Sequence, residues 1–508
     1  MPSPQMMRMI RCVFAVAVCV VLRGPIASSQ ESFTLAQVLG VPFNSNLVAA
    51  ESGDRVAWTS NQQGKRNTGV AEGPNFVARQ LTSYANDDGG ELSDLSFSAD
   101  GNTLVYSRGE GKDPAGEYAN PTHNPAGVEE EVWAISWTGG APVRIDAGNS
   151  PAVSKQDRIA YERGGEMWMA PLKTEGKPNR IVAHGKNYPV KWSPDGTKLL
   201  FISDRGDHSF IGIYDANAQA VKFLAPTVDS DSDPTWSLDG REVAFVRQPA
   251  VPRDTPEGYF VEPDRAHPWS IWVADVDSGG AREAWHSGNA MQDSFPYMAR
   301  DTGRGVLNWV GDRRLVFASE ADGWQHLYSI SVDGGDAKLL APGDCEVEQW
   351  SFSPDKKVVL FNSNCGDVDR RHLWSVGVDG GNLAQHTGGE SVEWGGVTLS
   401  GGQKVAYFLS DATHPGRPFL SALTKDAKAA EIVPSLVYAY FPATGLVKPQ
   451  QVLLTSGDGL QVHGQLFLPK NLKPGEKRPA VIYLHGGPMR QMLLGWHYTC
   501  ITTRMAML

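Results

Sequence analysis

From about residue 50 onward, the chain repeats a short pattern in which a polar tight turn is followed by an apolar strand. The clearest copy runs from Trp192 through Ser-Pro-Asp-Gly-Thr-Lys-Leu-Leu to Phe201, and another runs from Trp236 through Ser-Leu-Asp-Gly to Phe245. Proline presets the backbone at the first turn position, Asp-Gly takes the conformations that a tight turn requires, and a β-branched or aromatic strand follows. The pattern therefore predicts a β-hairpin at each copy.

Eight copies of this pattern occur, and each closes on an aromatic residue. The closing residues are Trp58, Tyr106, Tyr161, Phe201, Phe245, Phe317, Phe361 and Tyr407. Their spacings are 48, 55, 40, 44, 72, 44 and 46 residues, and a further strand with an aromatic residue near its start follows each copy. A period in the forties with several strands per repeat is typical of a β-propeller blade. The pattern predicts a mainly β protein with eight blades, or seven if one degenerate copy is miscounted.

The pattern changes after about residue 435. Residues 452–468 predict a β-hairpin around a Gly-Asp-Gly turn. Residues 480–484 form a continuous apolar run, Ala-Val-Ile-Tyr-Leu, which is typical of a parallel strand buried on both faces. This run ends in His485-Gly-Gly-Pro488. We therefore predict that a different, α/β domain begins here.

Composition narrows the class of protein. Of the 508 residues, 41% are hydrophobic and 20% are charged, which favours a packed core over general disorder. The 54 glycines, 33 prolines and 15 tryptophans favour short strands with many turns and exclude a helical bundle. A formal net charge of −11 argues against nucleic-acid binding, which needs a basic surface.

The N-terminus has the pattern of an export signal. Arg8 and Arg11 precede an apolar run at residues 13–22, and small residues suitable for cleavage follow at 27–29. The run is about half the ~20 residues needed to span a bilayer, although an uncleaved anchor is the alternative. We predict that residues 1–29 are a signal peptide and that the mature chain has no transmembrane span. The expected location is periplasmic or extracellular.

Cys345 and Cys365 flank a predicted hairpin turn near residue 355, which would bring the two thiols nearly opposite each other. In an oxidising compartment this arrangement predicts a disulfide, and two free buried thiols are the alternative. No cysteine pair has zinc-ligand spacing, and no His-Glu-x-x-His motif occurs. We therefore expect no metal and no cofactor.

The order of these elements resembles the prolyl oligopeptidase family of serine peptidases, in its dipeptidyl-peptidase and acylaminoacyl-peptidase branches. The most specific match combines the hairpin segment from Thr455 to Pro469 with the segment from Pro479 to Pro488. The repeats alone are also similar to TolB-type propellers, which are not enzymes. The resemblance implies a β-propeller over residues 30–435, followed at 436–508 by an incomplete α/β-hydrolase domain.

The resemblance also implies roles for particular residues. In the hydrolase fold, His485, Gly486 and Gly487 would form part of the oxyanion hole, where a backbone N–H stabilises the tetrahedral intermediate. An ordinary Gly-Gly turn is the alternative. Glu129 and Glu130 resemble the paired glutamates that hold a substrate's amino terminus in dipeptidyl peptidases. They also fit a solvated acidic turn ahead of a blade strand.

The nucleophile of the family is not found in this sequence. A Gly-x-Ser-x-Gly elbow occurs nowhere in the chain, and the family's Ser, Asp and His would all follow the oxyanion-hole segment. We therefore expect a truncated chain, with a frameshift near residue 499 as the hypothesis. By ancestry, the predicted function is that of an exported peptidase that acts on short peptides. We expect the chain to be inactive on its own. A non-catalytic propeller that binds peptide or protein partners is the alternative, and the oligomeric state stays open.

Overall fold

A computed structural model of the chain describes residues 33–110, 128–173, 176–250, 266–296, 305–311, 313–424, 427–433, 439–484 and 491–497. Within these ranges, the strands between Phe43 and Glu431 form eight successive four-stranded antiparallel units. The predicted mainly β fold with an eight-bladed propeller is confirmed, and the alternative of seven blades is wrong. Blades 4 and 5 are further joined by a single parallel bridge between Ser209 and Ser230.

Each blade uses four consecutive strands, numbered outward from the innermost. Blade 1 contains β1 Phe43–Ala49, β2 Arg55–Gln62, β3 Lys65–Glu72 and β4 Arg79–Gln80. Blade 2 contains β5 Glu91–Phe97, β6 Thr103–Gly109, β7 Glu131–Ser136 and β8 Val143–Ala147. Blade 3 contains β9 Asn149–Val153, β10 Arg158–Arg163, β11 Glu166–Pro171 and β12 Asn179–Val182. Blade 4 contains β13 Lys186–Trp192, β14 Lys198–Asp204, β15 Ser209–Asp215 and β16 Ala220–Phe223.

The second half of the ring repeats this order. Blade 5 contains β17 Ser230–Trp236, β18 Glu242–Gln248, β19 Ser270–Asp275 and β20 Ala281–His286. Blade 6 contains β21 Leu307–Val310, β22 Arg314–Ser319, β23 His326–Ser331 and β24 Lys338–Leu339. Blade 7 contains β25 Val347–Phe352, β26 Val358–Ser363, β27 His372–Gly377 and β28 Ala384–Gln385. Blade 8 contains β29 Val392–Thr398, β30 Lys404–Ser410, β31 Arg417–Ala422 and β32 Ala430–Glu431.

The ring closes where blade 8 meets blade 1. Strand β29 packs against β1, and Leu47 and Trp58 of blade 1 share an apolar cluster with Trp394 of blade 8. The Asn44 amide donates to the carbonyl oxygen of Gly416 at 3.0 Å across the same junction. Closure therefore rests on side-chain packing, since each of the two blades takes all four of its strands from consecutive residues.

The closing aromatic residues form the core of the blades. All eight lie on the second strand of a blade and are at most 3% exposed. In six blades the cross-strand partner is also aromatic, as in the stacked pair Phe317 and Tyr328, whose ring centroids are 5.9 Å apart. In the other two blades the partner is glycine, because the ring covers its position. A Cβ atom on Gly212 would lie 2.2 Å from Cζ of Phe201.

The tight turns between first and second strands share one backbone feature. The fourth residue of each turn has a φ between +55° and +75°, and these residues are Gly53, Gly101, Asp157, Gly196, Gly240, Arg313, Lys356 and Gly402. The serine and aspartate of the motif close the turn. Ser353 donates to Oδ1 of Asp355 at 2.6 Å and accepts from the Val358 N–H at 3.0 Å. These bonds explain the Ser-x-Asp part of the repeat.

The residues after blade 8 form few regular elements. A hairpin comprises β33 Gln450–Thr455 and β34 Gln461–Leu466, as predicted, while a helix α1 Leu35–Leu39 and a 3-10 turn Met291–Asp293 complete the described elements. The predicted strand at 480–484 is wrong, because the described residues place no strand beside it. Without such neighbours its apolar side chains stay exposed, and Val481 is 96% exposed.

Segments near the two ends of the described chain pack together. Val38 of helix α1 and Trp496 belong to one apolar cluster with Phe441 and Leu446. The Phe441 and Trp496 rings meet edge to face at 5.7 Å. Across the parts of the chain that the structure describes, no helix is long and apolar enough to cross a membrane.

Candidate functional site

The two faces of the propeller differ in what they carry. In each blade the loop between the second and third strands lies on the same face as the connection to the next blade, and the tight turns lie on the other. We call these the docking face and the turn face. The hairpin β33–β34 contacts the docking face, where Nδ1 of His463 lies 3.0 Å from Oδ2 of Asp369. Trp496 also binds this face through its N–H, which donates to the Asp411 carbonyl oxygen at 3.2 Å.

Asp369 is the centre of this contact. Its carboxylate is almost fully buried and accepts hydrogen bonds from the side chains of Gln451 and Gln491 as well as from His463. Its carbonyl oxygen accepts from the Leu494 N–H at 3.0 Å. One residue of the blade 7 loop therefore joins the propeller to two separate segments that follow it. Because charge-assisted hydrogen bonds are strong when shielded from water, this contact fixes the hairpin on the docking face.

A cavity of about 750 Å³ lies along the wall of the central channel between blades 4, 5 and 6. It extends from loop residues of the docking face, Gly206 and His208, along strand β13 to Lys191. Its apolar lining comes mainly from Tyr188, Val190 and Ile202, and its polar lining includes Asp204, Ser230, Ser232 and Asn308. Tyr188 and Val190 point into the channel because they alternate with the buried Asn187 and Pro189 along the strand.

The cavity has a rigid polar wall. Arg247 forms a two-pronged ion pair with Asp231, at 2.7 and 2.9 Å, and both side chains are buried. Burial raises the pKa of Asp231, and the two hydrogen bonds from Arg247 oppose that effect. The Arg247 guanidinium also lies over the Trp272 ring at 4.8 Å. The pair therefore ties the first two strands of blade 5 together beside the cavity.

Glu129 and Glu130 both lie just before strand β7, on the docking face. Glu129 is exposed, whereas Glu130 is half-buried and accepts a hydrogen bond from Nδ2 of Asn149 at 2.6 Å. Burial raises the pKa of Glu130, and the nearby carboxylates of Asp94 and Glu162 raise it further. The third glutamate of the run is structural, because Glu131 forms an ion pair with Arg144.

A second acidic group on the same face was not expected from the sequence. Glu320 follows strand β22 and Glu346 precedes β25, and both are half-buried. Burial raises the pKa of each carboxyl group, and the charge of Glu346 raises that of Glu320 further. The residues are 26 positions apart in the chain and belong to different blades, so only the ring of blades brings them together.

The remaining predicted site residues fall in two places. Cys345 and Cys365 are joined by a disulfide whose Cα atoms are 4.9 Å apart, and it links the connection before β25 to the loop after β26. His485, Gly486 and Gly487 lie outside the described residues. Among the residues with described positions, no group of three or more His, Cys, Asp or Glu side chains is arranged to hold a metal ion.

Comparisons with known proteins agree with this architecture. Residues 282–419 match a family model described as the dipeptidyl peptidase IV N-terminal region. A probable dipeptidyl peptidase 4 of Aspergillus flavus is 25% identical over 389 residues, which cover 66% of this chain and 47% of that protein. The dipeptidyl peptidase 4 of Trichophyton equinum is 27% identical over 392 residues, covering 66% and 49%.

Among solved structures, Porphyromonas gingivalis dipeptidyl peptidase 4 is similar with a TM-score of 0.64 at 10% sequence identity, over 92% of this chain and 72% of that chain. This likeness supports the fold. The chain spans about half the length of the curated relatives it matches.

Proposed function

We propose that this chain, which belongs to the prolyl oligopeptidase family, is the substrate-admitting part of an exported serine peptidase that hydrolyses short peptides. The observation that carries the proposal is the position of the cavity. Its lining reaches loop residues of the docking face, the face to which Asp369 anchors the segment that resembles the start of a hydrolase domain. A peptide in the cavity would therefore lie next to the catalytic side of the complete enzyme.

The chemistry of the cavity suits a short peptide. A volume of about 750 Å³ is within the range of small-ligand sites. Tyr188 and Val190 offer apolar contact, and Asp204 and Ser230 offer acceptors and a hydroxyl for backbone amides. The innermost position of β13 keeps these groups on the channel side.

Peptide binding can be tested with one substitution and a matched control. We expect Tyr188→Ala to weaken the binding of a short proline-containing peptide to the full chain about tenfold, measured by calorimetry, because it removes apolar contact area. Tyr440→Ala removes a tyrosine that is 85% exposed and lies outside the cavity, so its affinity should be unchanged. Equal effects of the two variants would contradict the proposal.

We further propose that Glu129 and Glu130 hold the amino terminus of such a peptide. Glu129 is free to do so because its exposed side chain forms no ion pair among the described residues. Glu129→Gln should weaken the binding of a peptide with a free amino terminus and leave its N-acetylated form unaffected. A similar loss for both forms would reject this role.

Catalysis is proposed to need residues beyond those in this sequence. His485, Gly486 and Gly487 would supply an oxyanion-hole donor, but the 508 residues contain no Gly-x-Ser-x-Gly elbow. We expect no labelling of the purified chain by a fluorophosphonate serine probe. Labelling would mean that an activated serine exists elsewhere in the chain. The alternative is a non-catalytic propeller that binds peptides. It predicts the same result for this chain, namely peptide binding without labelling.

Export is proposed from residues 1–29. A reporter fused after residue 40 should reach the exported compartment, and replacing Arg8 and Arg11 with glutamate should retain it in the cytoplasm, because the positive charges orient the signal. A reporter that stays inside the cell in both cases would contradict the signal peptide.

A further inference from the structure

The tight turn of blade 7 carries a lysine at the position where the other turns favour glycine. Lys356 has a φ of +59°, in the left-handed region that side chains rarely adopt. Five of the eight turns have glycine at this position, which occupies that region without strain. A residue held in a strained conformation is a reason to look for a function of its side chain.

The two other non-glycine residues at this position have ion-pair partners. Oδ1 of Asp157 lies 2.9 Å from Nζ of Lys173, and Nη1 of Arg313 lies 2.8 Å from Oε2 of Glu242. Lys356 differs from both. Its Nζ lies 5.5 Å from the centroid of the Phe352 ring, and within the described ranges it has no carboxylate partner. Its carbonyl oxygen accepts from the Gly311 N–H at 2.9 Å, which holds the turn in place.

A second lysine lies at the same, turn-face end of the channel wall. Lys191 lies on the innermost strand of blade 4, lines the cavity, and has no carboxylate partner in the described part of the chain. Burial and the charge of Lys191 together lower the pKa of Lys356 to about 8, against the opposing effect of Glu51. Glu51 is already paired with Lys155 at 3.7 Å. The turn-face end of the channel therefore holds two lysine ammonium groups that have no carboxylate partner of their own among the described residues.

We propose that Lys356 and Lys191 form an anion-binding site at the turn-face end of the channel, and that the site takes a carboxylate of a short peptide. Ammonium groups on flexible stems suit a carboxylate as compact charges with several donors. The opposite end of the channel wall carries the carboxylates of Asp204 and Glu320, which would suit an ammonium group. The anion site is inferred from the two lysines alone. Its assignment to a peptide rests on the proposed function.

The test compares two tetrapeptides, Ala-Pro-Ala-Ala with a free α-carboxylate and the same peptide as its C-terminal amide, on the full chain by calorimetry. A third peptide, amidated but with glutamate in the last position, distinguishes an acidic side chain from the chain terminus. We expect the free acid to bind at least ten times more tightly than the amide. Lys356→Gly and Lys191→Gln should each reduce this ratio to below three, whereas Lys357→Gln, which removes the neighbouring exposed lysine, should preserve it.

Lys356→Gly restores the residue that most copies of the turn carry, so we expect this variant to fold, and its urea denaturation curve checks that it does. An unchanged ratio in Lys356→Gly and in Lys191→Gln would overturn the anion site and leave the proposed function intact, provided both peptides bind. Failure of all three peptides to bind the unaltered chain would overturn the peptide assignment together with the proposed function. A glutamate peptide that binds as tightly as the free acid would support the site and assign it to any peptide carboxylate.

Discussion

Nδ1 of His463 lies 3.0 Å from Oδ2 of Asp369, and this contact joins the hairpin after the propeller to the loop of blade 7. The Asp369 carboxylate is almost fully buried and also accepts from Gln451 and Gln491. In contrast, the apolar side chains of the hairpin are largely exposed, as Leu453 and Leu454 are 54% and 58% exposed. Polar contacts to Asp369 therefore join the hairpin directly to the docking face, and Gln465 of the hairpin adds a hydrogen bond to the Leu493 carbonyl oxygen at 2.6 Å.

This dependence predicts the effect of Asp369→Ala. The substitution leaves three donors without their acceptor, so the hairpin should open more often. We expect amide hydrogen exchange in residues 450–466 to accelerate about tenfold, while exchange in blades 2 to 4 stays the same. Asp336→Ala, at an exposed position of blade 6, serves as the control. Unchanged exchange in the hairpin would mean that other contacts hold it.

Lys356→Gly should stabilise the propeller. The substitution removes the strain of a side chain at positive φ and the cost of an unpaired half-buried cation, against the greater backbone entropy of unfolded glycine. We expect a net gain of about 1 kcal/mol in the free energy of unfolding, measured by urea denaturation. Gly402→Lys in the turn of blade 8 is the converse change and should destabilise. A less stable Lys356→Gly variant would show that the lysine is present for packing.

The stability of the unaltered chain should also depend on pH through Lys356. Its pKa is lowered to about 8 in the folded state from an ordinary value near 10.5, so between these values the unfolded chain binds more protons. The free energy of unfolding should therefore rise with pH from about 8 to 10.5, relative to Lys356→Gly. Peptide carboxylate binding should fall as the pH rises through about 8, where the ammonium group of the folded protein loses its charge. Parallel pH profiles for the two proteins would contradict both statements.

Gly212→Ala should be strongly destabilising although the change is small. A Cβ atom there would lie 2.2 Å from Cζ of the buried Phe201 ring, which is itself enclosed by the blade core. Such overpacking typically costs about 1–3 kcal/mol. Gly401→Ala, where an added Cβ meets nothing within 4 Å, is the matched control and should change stability by less than about 0.5 kcal/mol. Thermal denaturation of the two variants side by side distinguishes them.

Replacing the disulfide between Cys345 and Cys365 by two serines should lower stability by about 3 kcal/mol, because the bond closes a loop with a sequence separation of 20 residues. Urea denaturation with and without reductant measures the effect. Reductant should destabilise the unaltered chain and leave the double-serine variant unchanged. Equal sensitivity of the two proteins would argue for free thiols.

The sequence by itself predicted the blades, with eight as their number and seven as the alternative that the structure then ruled out. A turn motif with a fixed order of Ser, Asp and an aromatic strand is a local signal, since hairpin geometry and the burial of alternate residues act over a few positions. The aromatic residues that close each copy proved to be the buried core, and the hairpin predicted at 452–468 is found at 450–466. The interpretation of 480–484 as a buried strand failed because burial of a strand depends on neighbours that its own residues do not specify.

Only the tertiary structure decided where charged and apolar side chains meet. Lys191 and Lys356 come from blades 4 and 7, Glu320 and Glu346 from blades 6 and 7, and no spacing in the chain relates them. The cavity arises in the same way, from closure of the ring, whereas the Asp369 contact arises where the residues after blade 8 fold back onto blade 7. Closure depends on the packing of all eight blades, and a channel is formed by residues that are distant in sequence and become neighbours only when the ring is complete.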